Sequence, residues 1–203
     1  MTEETKIDLS ANELELVCNT EWILTKHLII DKVYRLFGNL ALNMQEHIRQ
    51  NAAILQREAS EGNPKISRGE NYKGLPYVVL DYPRLFTSEH VFAIRTHFWW
   101  GNYFSVTLHL KGQFQQTYYD KLSANFEALA ESGHLICLAT DEWEHELREP
   151  YFTNLRSMGF EKYQQALVSM PFLKIAKPFP LYEWSSMVDL LREEQRTMTN
   201  LLS

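Results

Sequence analysis

The chemistry-bearing residues of this 203-residue chain gather in three segments. The first, residues 141–149, reads Asp-Glu-Trp-Glu-His-Glu-Leu-Arg-Glu. As a helix it would place Glu142, His145, Glu146 and Glu149 on one face. A Glu-x-x-His pair is a ligand unit of di-iron carboxylate bundles, but those need a second such unit and further glutamates on facing helices. His145 to Glu149 also resembles the zinc pair His-Glu-x-x-His, with Glu149 where the second histidine should stand. The plainer reading is a short acidic helix capped by Thr140, whose carboxylates favour the positive end of its dipole and face solvent. No metal is expected here. A metal-assisted hydrolase using Glu142, His145 and Glu146 is the alternative reading of the segment.

The second segment runs from Gly62 to Gly74 and offers Lys65, Arg68 and Lys73 among glycines that would let backbone amides approach an anion. It lacks the Gly-x-x-x-x-Gly-Lys-Ser/Thr order of a phosphate loop, and no Gly-x-Gly-x-x-Gly occurs elsewhere. A solvated connector is the expectation, and no cofactor is assigned.

The third lies on a predicted hairpin. Residues 91–99 and 103–111 alternate like strands about Trp100-Gly101-Asn102. A two-residue turn would mix polar and apolar faces. A three-residue loop instead pairs Phe98 with Phe104, Ile94 with Leu108 and Phe92 with Leu110. That register gathers Arg95, His97, Trp99, Tyr103, Ser105, Thr107 and His109 on the opposite face. Donors, titratable imidazoles and stacking surfaces together suit a small polar or anionic ligand. The competing reading is ordinary packing beneath a covering element. Ser105 and His97 are cross-strand neighbours, but no Gly-x-Ser-x-Gly elbow supports acyl transfer.

The remaining elements must carry that hairpin. Ser10 and Glu13 form a capping box that starts a helix, and Asn19-Thr20 breaks it from a second. The second shows an apolar stripe at Ile30, Val33, Tyr34, Phe37, Leu40, Ala41, Met44, Ile48, Ala52 and Leu55. A strand is expected over residues 77–82, ending at Pro83. Phe114, Tyr118, Leu122, Phe126 and Leu129 mark a helix stopped at Ser132-Gly133. Further strands fall at residues 134–139 and 172–176, with a helix over 161–170. A long C-terminal helix over 182–202 has its stripe at Trp184, Met187, Val188, Leu191, Met198 and Leu202. Trp22, Tyr34, Phe37, Tyr118, Tyr119, Phe126 and Trp184 read as core aromatics. Cys18 and Cys137 read as buried thiols.

This order predicts an α+β fold: one domain over residues 1–203, with an antiparallel or mixed sheet of about five strands covered by helices, two N-terminal helices and a long C-terminal one. The net charge of −6 argues against nucleic acid as a partner. No apolar run reaches membrane-spanning length, and the acidic N-terminus lacks a secretory signal, so a soluble cytoplasmic protein is expected. The leading functional expectation is binding of a small polar or anionic ligand at Arg95, His97, Trp99, Tyr103, Ser105 and His109. Whether the chain is an enzyme is left open. Besides the hydrolase, the other alternative is a homodimer formed through the helical stripes, for which a large exposed apolar patch would be the sign.

Overall fold

The structure, a computed structural model, describes residues 7–50 and 62–203. Its centre is a seven-stranded antiparallel sheet in the order β1-β2-β3-β4-β7-β5-β6. The strands are β1 (Lys65–Tyr72), β2 (Leu75–Phe86), β3 (Val91–Trp99), β4 (Tyr103–Lys111), β5 (Leu135–Cys137), β6 (Phe152–Asn154) and β7 (Phe172–Pro180). Helices α1 (Ala11–Cys18) and α2 (Thr20–Gln50) precede them. The short α3 (Gln113–Thr117), α4 (Tyr119–Ala124) and α5 (Phe126–Glu131) follow β4. Then α6 (Leu155–Met158) and α7 (Phe160–Ser169) lead into β7, and a 3-10 turn (Leu181–Ser186) leads into α8 (Met187–Asn200).

The hairpin register is the one its side-chain alternation requires: Phe98 pairs with Phe104, Ile94 with Leu108 and Phe92 with Leu110. One sheet face is therefore mainly apolar. Val78, Leu80, Phe92, Ile94, Phe104, Val106, Leu108 and Ile175 are buried there against the stripes of α2 and α8. Ile30, Val33, Phe37, Leu40, Ala41, Met44 and Ile48 all lie in this core, while Ala52 and Leu55 fall outside the described residues. Phe37 meets Phe104 edge-on at 6.2 Å. Gln195 of α8 donates to the buried Thr96 hydroxyl at 2.8 Å, so the one polar group on this face of β3 is matched.

The Ser10–Glu13 capping box forms, and Asn19 Oδ1 accepts from the Trp22 amide to start α2. Seven strands replace the expected five because two elements escape a pattern search. Residues 65–72, expected as a loop, form β1. Ile66 packs into the core and Arg68 lies over the Tyr34 ring, while Ser67 and Gly69 pair with Val79 and Tyr77 of β2. Lys73 and Gly74 both take positive φ, 49° and 83°, which makes the two-residue turn that closes a hairpin. β6 is only three residues long, too short for alternation to reveal.

Three further expectations are corrected. Residues 141–149 form no helix. Cys18 is exposed, and Trp22 is 52% exposed, for α1 has no buried residue and the first buried residue of α2 is Ile30. The C-terminal helix begins as a 3-10 turn, with Glu183 leaving helical φ/ψ. Among the described residues, no helix is long and apolar enough to cross a membrane.

Candidate functional site

The second sheet face is polar, and its rows follow from strand register. Asp81, Arg95 and Thr107 lie in one row across β2, β3 and β4; Val79, His97 and Ser105 lie in the next. His109 of β4 pairs with Lys174 of β7. Asp81, His97, Ser105, Thr107, His109 and Lys174 are all at most 5% exposed.

What buries them is the segment 138–151, which lies across this face without secondary structure beyond turns. Its backbone groups are satisfied from the sheet. The Tyr72 hydroxyl donates to Glu144 Oε1 at 2.6 Å and accepts from the His145 amide at 2.8 Å. The Tyr103 hydroxyl donates to the His145 carbonyl at 2.9 Å and accepts from the Leu147 amide at 2.7 Å. Burial raises both phenols, Tyr103 to about 12. Lys111 reaches Glu142 at 3.0 Å, and Lys73 reaches Glu144 at 2.9 Å and also Glu146. The carboxylates are thus drawn apart, Glu142 to Lys111 of β4 and Glu144 and Glu146 to Lys73 of the β1–β2 turn. Asp141 and Glu144 also accept backbone amides of their own segment, which competes directly with helical pairing.

Arg95 organises the centre. Its Nε and Nη2 donate to Asp81 Oδ1 and Oδ2 at 2.7 and 2.9 Å, a bidentate pair. Its Nη1 lies 2.8 Å from His145 Nε2. A guanidinium only donates, so Nε2 accepts and the imidazole carries its proton on Nδ1. That Nδ1 lies 3.4 Å from Lys174 Nζ, which also donates to the Glu142 carbonyl at 3.1 Å and to the Glu144 carbonyl. Once deprotonated, the amine would match this surround, with two N–H groups for two carbonyls and one lone pair for Nδ1–H. Burial lowers Lys174 to about 8.

The histidines are held neutral. Burial, reinforced by Arg95 and Lys174, lowers His97 to about 3. Burial, then Lys174 and Arg95, lowers His109 to about 2 and His145 well below its ordinary value. Among the described residues, neither His97 Nδ1 nor Trp99 Nε1 has a hydrogen-bond partner.

Between β1, β2, β3 and the covering segment lies a cavity of about 280 Å³, lined by Ser67, Tyr72, Tyr77, Val79, Arg95, His97, Trp143 and His145. Its walls are mostly rings. His97 stands 5.4 Å from His145, 5.9 Å from Tyr77 and 6.1 Å from Tyr72, centre to centre, and Trp143 lies 5.7 Å from the Arg95 guanidinium. The Ser67 and Tyr77 hydroxyls make no hydrogen bond among the described residues. Gly69 makes room for Tyr77: a Cβ at Gly69 would stand 2.5 Å from that ring.

Of the residues singled out in the sequence, Arg95 and His97 line this cavity. Trp99 packs on Tyr72 and Tyr103, Tyr103 anchors the cover, Ser105 makes no bond to His97, and His109 lies apart against Trp143, Phe172 and Glu142. Glu142, His145 and Glu146 do not converge: they go to Lys111, Arg95 and Lys73 respectively. Lys65, Arg68 and Lys73 likewise part company along β1 and its turn. Among the described residues, no group of three or more His, Cys, Asp or Glu is placed to hold a metal ion. Sequence reasoning missed Ser67, Tyr72, Tyr77, Asp81 and Lys174. A lysine inside the apolar run Phe172-Leu173-Lys174-Ile175-Ala176 was the available signal for the last. A larger groove of about 440 Å³, lined in part by Gln115, Tyr119, Leu167 and Met170, carries no cation, carboxylate or imidazole.

No protein-family model matches the chain, and no curated protein or solved structure matches it significantly.

Proposed function

We propose that this protein binds a small, flat, uncharged polar molecule in the cavity between the β1–β3 face and residues 141–148. The supporting observation is a pair of hydroxyls, Ser67 and Tyr77, that make no hydrogen bond among the described residues and stand beside His97, whose Nδ1 makes none either, in walls where Tyr72 and Arg95 are already held by neighbours. Such a site is arranged before its ligand arrives, so little ordering is left to oppose binding. Charge narrows the class. Arg95 is matched by Asp81 and both imidazoles are neutral, so an anion would find no uncommitted positive charge. Ring edges and faces from Tyr72, Tyr77 and Trp143 favour a planar ligand.

The test is a thermal-shift screen of neutral heteroaromatic and amide compounds, followed by calorimetry on any hit. Tyr77→Phe and Ser67→Ala each remove one hydroxyl without opening a large void. Each should weaken a genuine ligand by about 3- to 10-fold, the worth of one net hydrogen bond. A hit whose affinity survives both substitutions binds elsewhere and overturns the assignment.

A further inference from the structure

One side chain of the cavity under residues 141–148 is buried with its bonding unfinished. His97 is 2% exposed and lines the cavity, and neither of its ring nitrogens makes a hydrogen bond among the described residues. Nδ1 is sealed off by its surroundings, whereas Nε2 is open on the cavity side. Burial, with Arg95 and Lys174 close by, keeps the ring at a single proton. On Nδ1 that proton would be a buried donor without an acceptor, an arrangement that proteins rarely keep and that costs the full desolvation of the group. It therefore belongs on Nε2, where it is offered to the cavity.

Arg95 adds donors to the same side. Three of its five N–H groups go to Asp81 and His145, which leaves two unbonded. Its charge is matched by Asp81, so these groups suit a neutral oxygen better than an anion.

Strand register sets the opposite side. Ser67 pairs with Val79, and Val79 with His97, so Ser67 and His97 share one row with Val79 as the apolar floor between them. Two strand spacings separate their backbones by about 10 Å. Tyr77 leans over Gly69, on the Ser67 side of the site. Such a span takes one flat ring with a hydrogen bond at each end. One end of the ring must present an oxygen to fixed donors. The other meets two hydroxyls, each able to accept from an N–H.

Given the binding site proposed above, we infer that its ligand class is a planar heterocycle with a ring carbonyl at one end and a ring N–H at the other, the pattern of a 4-pyridone or a pyrimidinone base. The carbonyl oxygen accepts from His97 Nε2–H, and the ring N–H donates to Ser67 or Tyr77. His97 is then the residue that distinguishes such a ring from a plain aromatic one.

Calorimetry at pH 7 with three probes of similar shape is the test. 4-Quinolinone carries both groups, 1-methyl-4-quinolinone lacks the N–H, and quinoline lacks the carbonyl as well. 4-Quinolinone should bind, its methyl derivative about 3- to 10-fold more weakly, and quinoline more weakly by about 10-fold or more. His97→Phe keeps a ring without the donor and should erase most of the preference for 4-quinolinone over quinoline. His97→Gln, which retains an N–H, should keep part of it. In the unsubstituted protein, nitrogen-15 spectra should show the His97 proton on Nε2 and a shift of that signal when 4-quinolinone is added, a readout that does not depend on the variants folding. A proton on Nδ1, equal affinity for 4-quinolinone and quinoline, or a preference that survives His97→Phe overturns this ligand class. A different compound whose affinity falls with Tyr77→Phe and Ser67→Ala would then leave the cavity standing as the binding site, whereas a cavity that takes no compound at all overturns both readings.

Discussion

Arg95 and Asp81 face each other across β2 and β3 with both carboxylate oxygens engaged, and their side chains are only 14% and 7% exposed. Removing one partner leaves the other charge buried without compensation. Arg95→Ala should therefore destabilise the fold by about 3–5 kcal/mol, while the double variant with Asp81→Ala should lose less than the sum of the single losses. Urea melts of the four proteins complete the cycle. Additive losses would show that the pair does not act as a unit. This also settles how Arg95 enters the cavity: as a wall held by Asp81, which makes it a poor choice for probing ligand affinity alone.

Acid should unfold this protein early. Below pH 6.5 the unfolded chain binds a proton at His97, His109 and His145 that the folded chain refuses, so stability falls as pH falls. His97 resists down to about 3 and His109 down to about 2, so the loss continues through that whole window. The expected slope is about 1.4 kcal/mol per pH unit per histidine, or about 2 kcal/mol from each by pH 5. Urea melts at pH 7 and pH 5 read the difference, and His109→Gln, uncharged throughout, should remove about a third of it. Equal stability at the two pH values would mean the imidazoles are not held neutral.

Lys174 gives the opposite limb. Its folded value of about 8 lies below the ordinary 10.5, so between them the unfolded chain retains a proton that the folded chain has released. Stability should rise from pH 8 toward pH 10, by up to about 1.4 kcal/mol per unit. Lys174→Met should abolish that rise, and a rise that persists in the variant would assign it to another group.

The helical stripes supply a check on the core. Phe126 and Leu191 are 6% and 0% exposed. Each change to alanine should cost about 2–5 kcal/mol, through lost burial and the cavity left behind. Losses below about 0.5 kcal/mol at both positions would contradict the packing.

Gly69→Ala tests the cavity wall from behind. The new Cβ would stand 2.6 Å from the Tyr77 hydroxyl oxygen, so the ring must swing away from Gly69. A ligand held by Tyr77 should then lose affinity by about the same factor as with Tyr77→Phe, as calorimetry would record. Unaltered affinity would remove Tyr77 from the site.

The fold was readable where periodicity was long and single-minded. The face alternation of residues 91–111 forced one register, and the three- and four-residue spacing from Ile30 to Ile48 forced one helix face. It failed where a side chain's partner was distant in sequence. Residues 141–149 have helical spacing, yet Tyr72, Tyr103, Lys111 and Lys174 supply tertiary bonds that outbid it. Residues 65–72 carry loop-like composition, yet β2 offers an edge to pair with. Half the cavity wall was hidden with them: Arg95 and His97 were visible from alternation, whereas Ser67 and Tyr72 lay in the supposed loop and His145 in the supposed helix.

The cover over the polar face is tied to the sheet by side chains outside itself. Its amides at His145 and Leu147 donate to two tyrosine hydroxyls, His145 also to Glu144, with no helical or sheet ladder behind them. Releasing those bonds, with the contacts from Lys73, Arg95, Lys111 and Lys174, would lift residues 141–148 while every strand of the sheet stays paired. In amide hydrogen exchange these two positions should therefore report a sub-global opening of low free energy, well separated from β3 and β4, whose amides exchange only when the whole sheet is lost. Deuterium uptake at His145 and Leu147 would thus clock how often the cavity meets bulk water.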